Sequence, residues 1–198
     1  MSQSEAAQLV VVISGPSGAG KDTVIGAALD LDPSLAKVAT AKTRAPRPGE
    51  IEGVHHVFLR DEEFDRWVAD GAFLEYVEIY GHRSGVPRAA VEDLLSQGKT
   101  PILRTDIQGA RTLRERLDDP LLVFVTAPDL ESLERRMRSR AAETESEIVA
   151  RLAEAEAELA EADWFDLVIV NQDESHDDAA QQLVRAIAAA RARGNHPR

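Results

Sequence analysis

The run Ser14-Gly-Pro-Ser-Gly-Ala-Gly-Lys-Asp-Thr23 sets Gly15 and Gly20 with four residues between them, and Lys21 directly after the second. A glycine-rich turn that opens a helix aims several backbone N–H groups and the positive helix end at one point, where a polyphosphate can sit. Gly15, Pro16, Ser17, Gly18, Ala19 and Gly20 are the expected cradle, and Lys21 is the cation expected to reach the β- and γ-phosphates. Glycine is needed there because side chains would block the approach and because some positions require positive φ. The usual pattern continues with Ser or Thr. Here Asp22 takes that place and Thr23 brings the hydroxyl one residue late. Asp22 and Thr23 are therefore the candidate metal contacts, with Mg²⁺ expected to be held mainly by phosphates and water. An ordinary tight turn with Asp22 capping the helix is the plain alternative.

These residues need elements to position them. Leu9–Ile13 is a short apolar, β-branched run that reads as a buried parallel strand feeding a helix that starts near Asp22. A second strand is expected around Lys37–Thr40, followed by an irregular Pro/Gly-rich loop, Thr43–Gly53. His56–Leu59 and Phe73–Ile79 read as strands flanking an acidic helix, Asp61–Asp70, and Pro87–Gln97 as a helix with proline in its first turn. An α/β rhythm resumes with strands at Thr100–Thr105, Leu121–Thr126 and Leu167–Val170. Helices are expected at Gln108–Leu117, Leu130–Ser139 and Asp177–Arg193. Residues 140–162, polar and alanine-rich, read as a mobile loop followed by a surface helix.

Composition narrows the function classes. At 198 residues with 43% hydrophobic side chains, the chain is long enough for one compact domain with a proper core. A net charge of −12 argues against general nucleic-acid binding, so any anionic ligand must be met by local arginines. There is no run long enough for a membrane span, and the opening Met-Ser-Gln-Ser-Glu lacks signal-peptide features, so the cytoplasm is expected. The absence of cysteine excludes disulfides and thiolate metal sites.

Downstream stand Thr43-Arg-Ala-Pro-Arg-Pro-Gly-Glu50, Phe73-Leu-Glu-Tyr76 and Thr105-Asp-Ile-Gln-Gly-Ala110. Together with the phosphate loop, and in that order, these segments resemble guanylate kinase over nearly the whole chain, from Val10 to Asp173. The resemblance implies an α/β fold with a P-loop NTPase-type parallel sheet flanked by helices, a small inserted α+β GMP-binding subdomain and a helical lid. It implies one domain over residues 1–198, with core 1–40, 98–135 and 163–198, GMP-binding subdomain 41–97 and lid 136–162. It further implies transfer of phosphate from ATP to GMP or dGMP with Mg²⁺, small nucleotides as partners, no nucleic acid or membrane, and a monomer or homodimer.

The site residues implied are chemically sensible. Arg44 and Arg47 flank a stiffening proline and can clamp a phosphate dianion with charge-assisted hydrogen bonds of about 1.5–3 kcal/mol each. Guanine presents two donors, N1–H and the 2-amino group, and Glu75 and Asp106 match the two carboxylates that read them. Thr40 matches a hydroxyl on the base, and Glu50 closes the arginine loop. Arg140 and Arg151, with Arg136 beside them, match lid arginines that stabilise the transferring phosphoryl group, and Asn171 matches a position near the adenine. Singly, Arg44 and Arg47 are as well explained by a solvated basic loop, and Glu75 and Asp106 by capping or salt bridging; their joint order favours the site.

Some residues depart from the resemblance. His56 and Ser84 stand where two tyrosines would grip the GMP phosphate, with His56 and Arg83 as substitute donors or plain surface residues. Val86 replaces a hydroxyl that contacts guanine. Arg104 stands where an acid is usual, two residues before Asp106, so Asp22 and Arg104 are expected to pair as a charge swap across the loop. Two other readings stay open. The Gly-Lys-Asp loop is also similar to ribose bisphosphate phosphokinases, although Glu75 and Asp106 have no obvious work on a sugar. A non-catalytic guanylate-kinase-like interaction module is the other, against which stand Lys21, Arg140 and Arg151 and the absence of adjoining domains.

Overall fold

The computed structural model describes residues 8–79, 81–139, 145–172 and 176–194. Strand β1, Val11–Ser14, is wholly buried and lies at the centre of a five-stranded sheet in which every pairing is parallel. Its neighbours are β7 (Thr100–Arg104) and β8 (Leu121–Thr126), with β2 (Leu35–Lys37) and β9 (Leu167–Val170) at the edges. Side chains alternate between the two faces of a strand. Val11 and Ile13 accordingly join a core with α1 (Lys21–Leu31) and α7 (His176–Gly194), represented by Val24, Ala28, Leu183 and Ile187. Val10 and Val12 join a second core with α3 (Arg88–Ser96) and α4 (Ile107–Arg116), through Val91, Ala110 and Leu113. Covering both faces is what a parallel sheet of continuous apolar runs demands.

The smaller sheet, in the order β4-β3-β6-β5, is mixed. Strands β3 (Thr40–Lys42) and β4 (His56–Phe58) run parallel, while β6 (His82–Pro87) is antiparallel to both β3 and β5 (Phe73–Ile79). Helix α2 (Asp61–Ala69) closes one face by stacking Phe64 on Phe73, ring centroids 4.5 Å apart, over Ala41. The single strand expected around Lys37–Thr40 is in fact two, one in each sheet. The chain leaves the larger sheet after Val38, whose N–H still bonds Ile102, and enters the smaller one at Thr40. Strand β6 was not expected at all, because His-Arg-Ser-Gly-Val-Pro lacks an apolar alternation. It forms because the chain turns back at Gly81, φ 72°, onto β5. Helix α5 (Leu130–Arg138) and the longer helix α6 (Glu145–Leu159) pack together beside the first core. Residues 140–144 of the expected lid, Arg140 among them, lie outside the described residues.

Candidate active site

The phosphate loop joins β1 to α1. Gly15, Gly18 and Gly20 all have positive φ, at 133°, 84° and 81°. At Gly15 a Cβ would sit 2.0 Å from the carbonyl oxygen of Val125, and at Gly20 it would sit 2.3 Å from Nδ2 of Asn171, so backbone and a buried amide press on the loop from behind. Asn171 is wholly buried and donates from Nδ2 to the carbonyl of Ala19 at 2.9 Å. Arg136 on α5 donates to the carbonyls of Gly18, Ala19 and Asn171, the last at 2.7 Å. Asn171 and Arg136 thus hold the loop's shape. Lys21 is buried and its Nζ donates to the carbonyls of Gly15 and, at 2.8 Å, Pro16.

Gly20, in the left-handed conformation, is the N-cap of α1, so the plain alternative of Asp22 as a cap does not hold. Asp22 lies in the first turn with both oxygens engaged by cations: Oδ1 by Lys37 Nζ at 2.8 Å and Oδ2 by Arg104 Nε at 3.4 Å. The expected pairing with Arg104 is present, and Lys37 adds a closer partner. Partial burial opposes ionisation of Asp22, but Arg104, then Lys37 and Lys21, hold its carboxyl below the ordinary value. Thr23 is exposed one residue on. Among the described residues no group of three or more His, Cys, Asp or Glu side chains is arranged to hold a metal ion.

The second constellation lies in the smaller sheet and its loop. Glu50 receives both guanidinium nitrogens of Arg44, each at 2.6 Å, and the backbone N–H of Arg47 at 2.7 Å. The Arg44 bonds bring its carboxyl down to about 2, so Glu50 is a fixed anion that buttresses the arginine loop. His56 bonds Thr40 Oγ1 through Nδ1 at 2.9 Å and approaches Glu50 at 3.5 Å. Burial, and then Lys42, push its pKa down to about 4, so at neutral pH the contact with Glu50 joins a neutral ring to a carboxylate and is no ion pair. Arg83 is committed to Asp61 and Asp65 of α2 and lies over the Phe64 ring, 4.8 Å from its centroid.

Glu75 on β5 is 5% exposed and accepts from Thr105 Oγ1 at 3.1 Å. Burial raises its pKa to about 7, against the lowering hydrogen bond from Thr105. Gly109 makes this pair possible, since a Cβ there would lie 2.0 Å from Thr105 Oγ1 and 3.0 Å from Glu75 Oε2. Asp106 caps α4, accepting from the Gly109 N–H at 2.7 Å through Oδ1. Val86 is fully buried in the second core.

A cleft of about 500 Å³ opens between the smaller sheet and α6, lined by Lys42, Arg44, Arg47, Arg83 and Ser84 on one side and Glu147 and Arg151 on the other. Arg151 also reaches the phosphate loop, with NH1 3.5 Å from Ser17 Oγ. One arginine therefore touches both the cradle and the cationic cleft. Sequence reading missed Lys37, Lys42 and Thr105. The first two carry no motif signal because their partners, Asp22 on α1 and Ser84 on β6, lie on elements distant in sequence, whereas Thr105 stood inside the quoted Asp106 segment.

Comparison with known proteins shows that the family model described as Guanylate kinase matches residues 7–190. A guanylate kinase of Rubrobacter xylanophilus is 46% identical over 175 residues, covering 88% of this chain and 91% of that protein. One from Streptomyces kasugaensis is 44% identical, covering 88% of this chain and 84% of its own. The crystal structure of guanylate kinase from Anaplasma phagocytophilum has a TM-score of 0.73 to this chain at 29% identity, over 94% of this chain and 88% of that one.

Proposed function

The chain belongs to the guanylate kinase family, and from that membership we propose that it catalyses ATP + GMP (or dGMP) ⇌ ADP + GDP (or dGDP). The observation that carries the reading is Arg151, which lines the cationic cleft while contacting Ser17 of the phosphate loop. A phosphoryl group passing from the loop to the cleft would travel beneath it. In this reading residues 1–40, 98–135 and 163–198 form the core, 41–97 the GMP-binding subdomain and 136–162 the lid.

Lys21 would exchange the carbonyls of Gly15 and Pro16 for the β- and γ-phosphates. Gly15–Gly20 would cradle the polyphosphate with backbone N–H groups. Arg44, held in place by Glu50, and Arg47 would clamp the acceptor phosphate, with Ser84 and His56 on the cleft side of the smaller sheet. Glu75, ionised, would accept from guanine N1–H and the 2-amino group, with Asp106 and Thr40 completing recognition of the base. Arg151, with Arg140 and Arg136, would meet charge that builds on the transferring group and so favour the transition state over the ground state. The acceptor phosphate is already ionised, so the reaction calls for positioning and charge stabilisation and no general base.

The donor set fits an Mg²⁺ that arrives with the nucleotide. Both oxygens of Asp22 are engaged by Lys37 and Arg104, so Asp22 and Thr23 would meet the ion through its water shell. When bound, Mg²⁺ neutralises charge on the phosphate oxygens. No helix among the described residues is long and apolar enough to cross a membrane; in this reading the protein would act in the cytoplasm, because both substrates are nucleotides. A sugar-phosphate acceptor would leave the buried Glu75 without work, and a non-catalytic module would not need Lys21 on its loop. The test is chromatographic detection of ADP and GDP in equal amounts from ATP, Mg²⁺ and GMP. Lys21→Ala is expected to abolish transfer with the fold intact by circular dichroism; retained activity would overturn the loop's assignment.

A further inference from the structure

Lys42 ends β3, half-buried, at the floor of the cationic cleft. Its Nζ donates to Ser84 Oγ at 3.2 Å, directly across the β3–β6 pairing. That hydroxyl orients the ammonium but brings no charge to meet it. Among the described residues Lys42 forms no ion pair, and Glu50, the acid on its own loop, is already taken by Arg44 and the Arg47 N–H.

The charges around it are mostly positive. Arg44 and Arg47 from the loop and Arg104 from the end of β7 repel the ammonium, while Glu50 and, from β5, Glu75 attract it. His56 of β4 is neutral, Arg83 of β6 is balanced by Asp61 and Asp65, and the α6 wall of the cleft carries one charge of each sign, Glu147 and Arg151. Burial first, and then Arg44 and Arg104, lower the Lys42 pKa to about 8. Without ligand, the cleft holds more positive charge than its own acids can meet. A small dianion bound there would lie close to the ammonium and reverse that imbalance.

Resting on the reading of this cleft as the acceptor-phosphate site, we propose that Lys42 is a direct ligand of the substrate's phosphate, a third cation beside Arg44 and Arg47 that favours a dianionic phosphate monoester. Ser84 is then its positioning residue, holding Nζ toward the cleft until substrate arrives.

Calorimetric titration of the full-length protein and its Lys42→Met and Lys42→Arg variants with GMP, guanosine and ATP tests this. Lys42→Met is expected to weaken GMP about tenfold or more while leaving guanosine and ATP within about twofold. Lys42→Arg is expected to retain GMP binding. At pH 8 the wild type should take up about half a proton more than Lys42→Arg on binding GMP, because the lysine is about half neutral beforehand. Unchanged GMP affinity in Lys42→Met would overturn the proposal. So would an equal loss of guanosine, which would signal a structural role. If the wild type bound ATP but neither bound GMP nor phosphorylated it, the acceptor reading would fail first and Lys42 with it.

Discussion

Asp22 Oδ2 stands 3.4 Å from Arg104 Nε, so opposite charges join the first turn of α1 to the end of β7 beside the phosphate loop. Lys37, at the end of β2, closes on the other oxygen at 2.8 Å. The side chains of Asp22 and Arg104 are 58% and 41% exposed, so solvent screening leaves the pair little weight in folding. Its importance lies in the local field. An acid next to a polyphosphate would repel it, and two cations on that acid cancel the repulsion while leaving Lys21 to the phosphates.

The pairing predicts coupling. In a double-mutant cycle of Asp22→Ser and Arg104→Asp, ATP affinity should show an interaction of about 0.5–1 kcal/mol, with the double variant better than the sum of the single losses. Raising the salt concentration should shrink it. Strict additivity would mean that Lys37 alone neutralises Asp22.

Glu75 predicts opposed effects on stability and function. Its pKa rises from 4.5 to about 7 on folding, so the folded state binds the extra proton between those values. Stability from this group therefore falls as pH rises from about 4.5 to about 7 and is level beyond. Glu75→Gln should stabilise the ligand-free protein at pH 8 by on the order of 1–3 kcal/mol in denaturant titration and remove the slope. The same change should cost GMP recognition, and wild-type GMP affinity should rise from pH 6 to 7.5 as the carboxyl ionises. A destabilised Glu75→Gln would contradict the account.

The loop's rear support predicts an unusual cycle. Gly20→Ala meets Asn171 Nδ2 at 2.3 Å and also pays about 1–2 kcal/mol for a left-handed alanine. It should lower ATP affinity about tenfold or more. Asn171→Ala removes the shorter of two bonds to the Ala19 carbonyl, leaving the longer one from Arg136, and should destabilise by about 1 kcal/mol. Combined, the two should lose less ATP affinity than their sum, because the collision disappears while the backbone strain remains. A double variant at or below the sum would mean that Asn171 does not press on Gly20.

Much of this was legible where local pattern and burial agree. Leu121-Leu-Val-Phe-Val-Thr126 is a continuous apolar run and folds as the buried strand it suggests. The loop Ser14–Thr23 announces itself because its glycines answer to backbone conformation. Elements set by distant partners were not legible. The break at Val38 between β2 and β3 depends on which sheet each half joins, and β6 depends on β5 for its pairing. The same holds in the site. Lys37 is beside Asp22 because β2 borders β7, and Lys42 faces Ser84 through a register fixed 42 residues away. The Asp22–Arg104 pair was legible only because both residues broke a pattern at once.

The most direct measurement is coupled ADP release with ATP and Mg²⁺, comparing GMP, dGMP, AMP, UMP, CMP and ribose 1,5-bisphosphate as acceptors. The account predicts turnover with GMP and dGMP, and kcat/KM for AMP lower by roughly 10⁴-fold or more, since adenine would leave the buried Glu75 carboxylate unpaired. No turnover with GMP at millimolar concentration, or AMP or the sugar bisphosphate used as well as GMP, would contradict it.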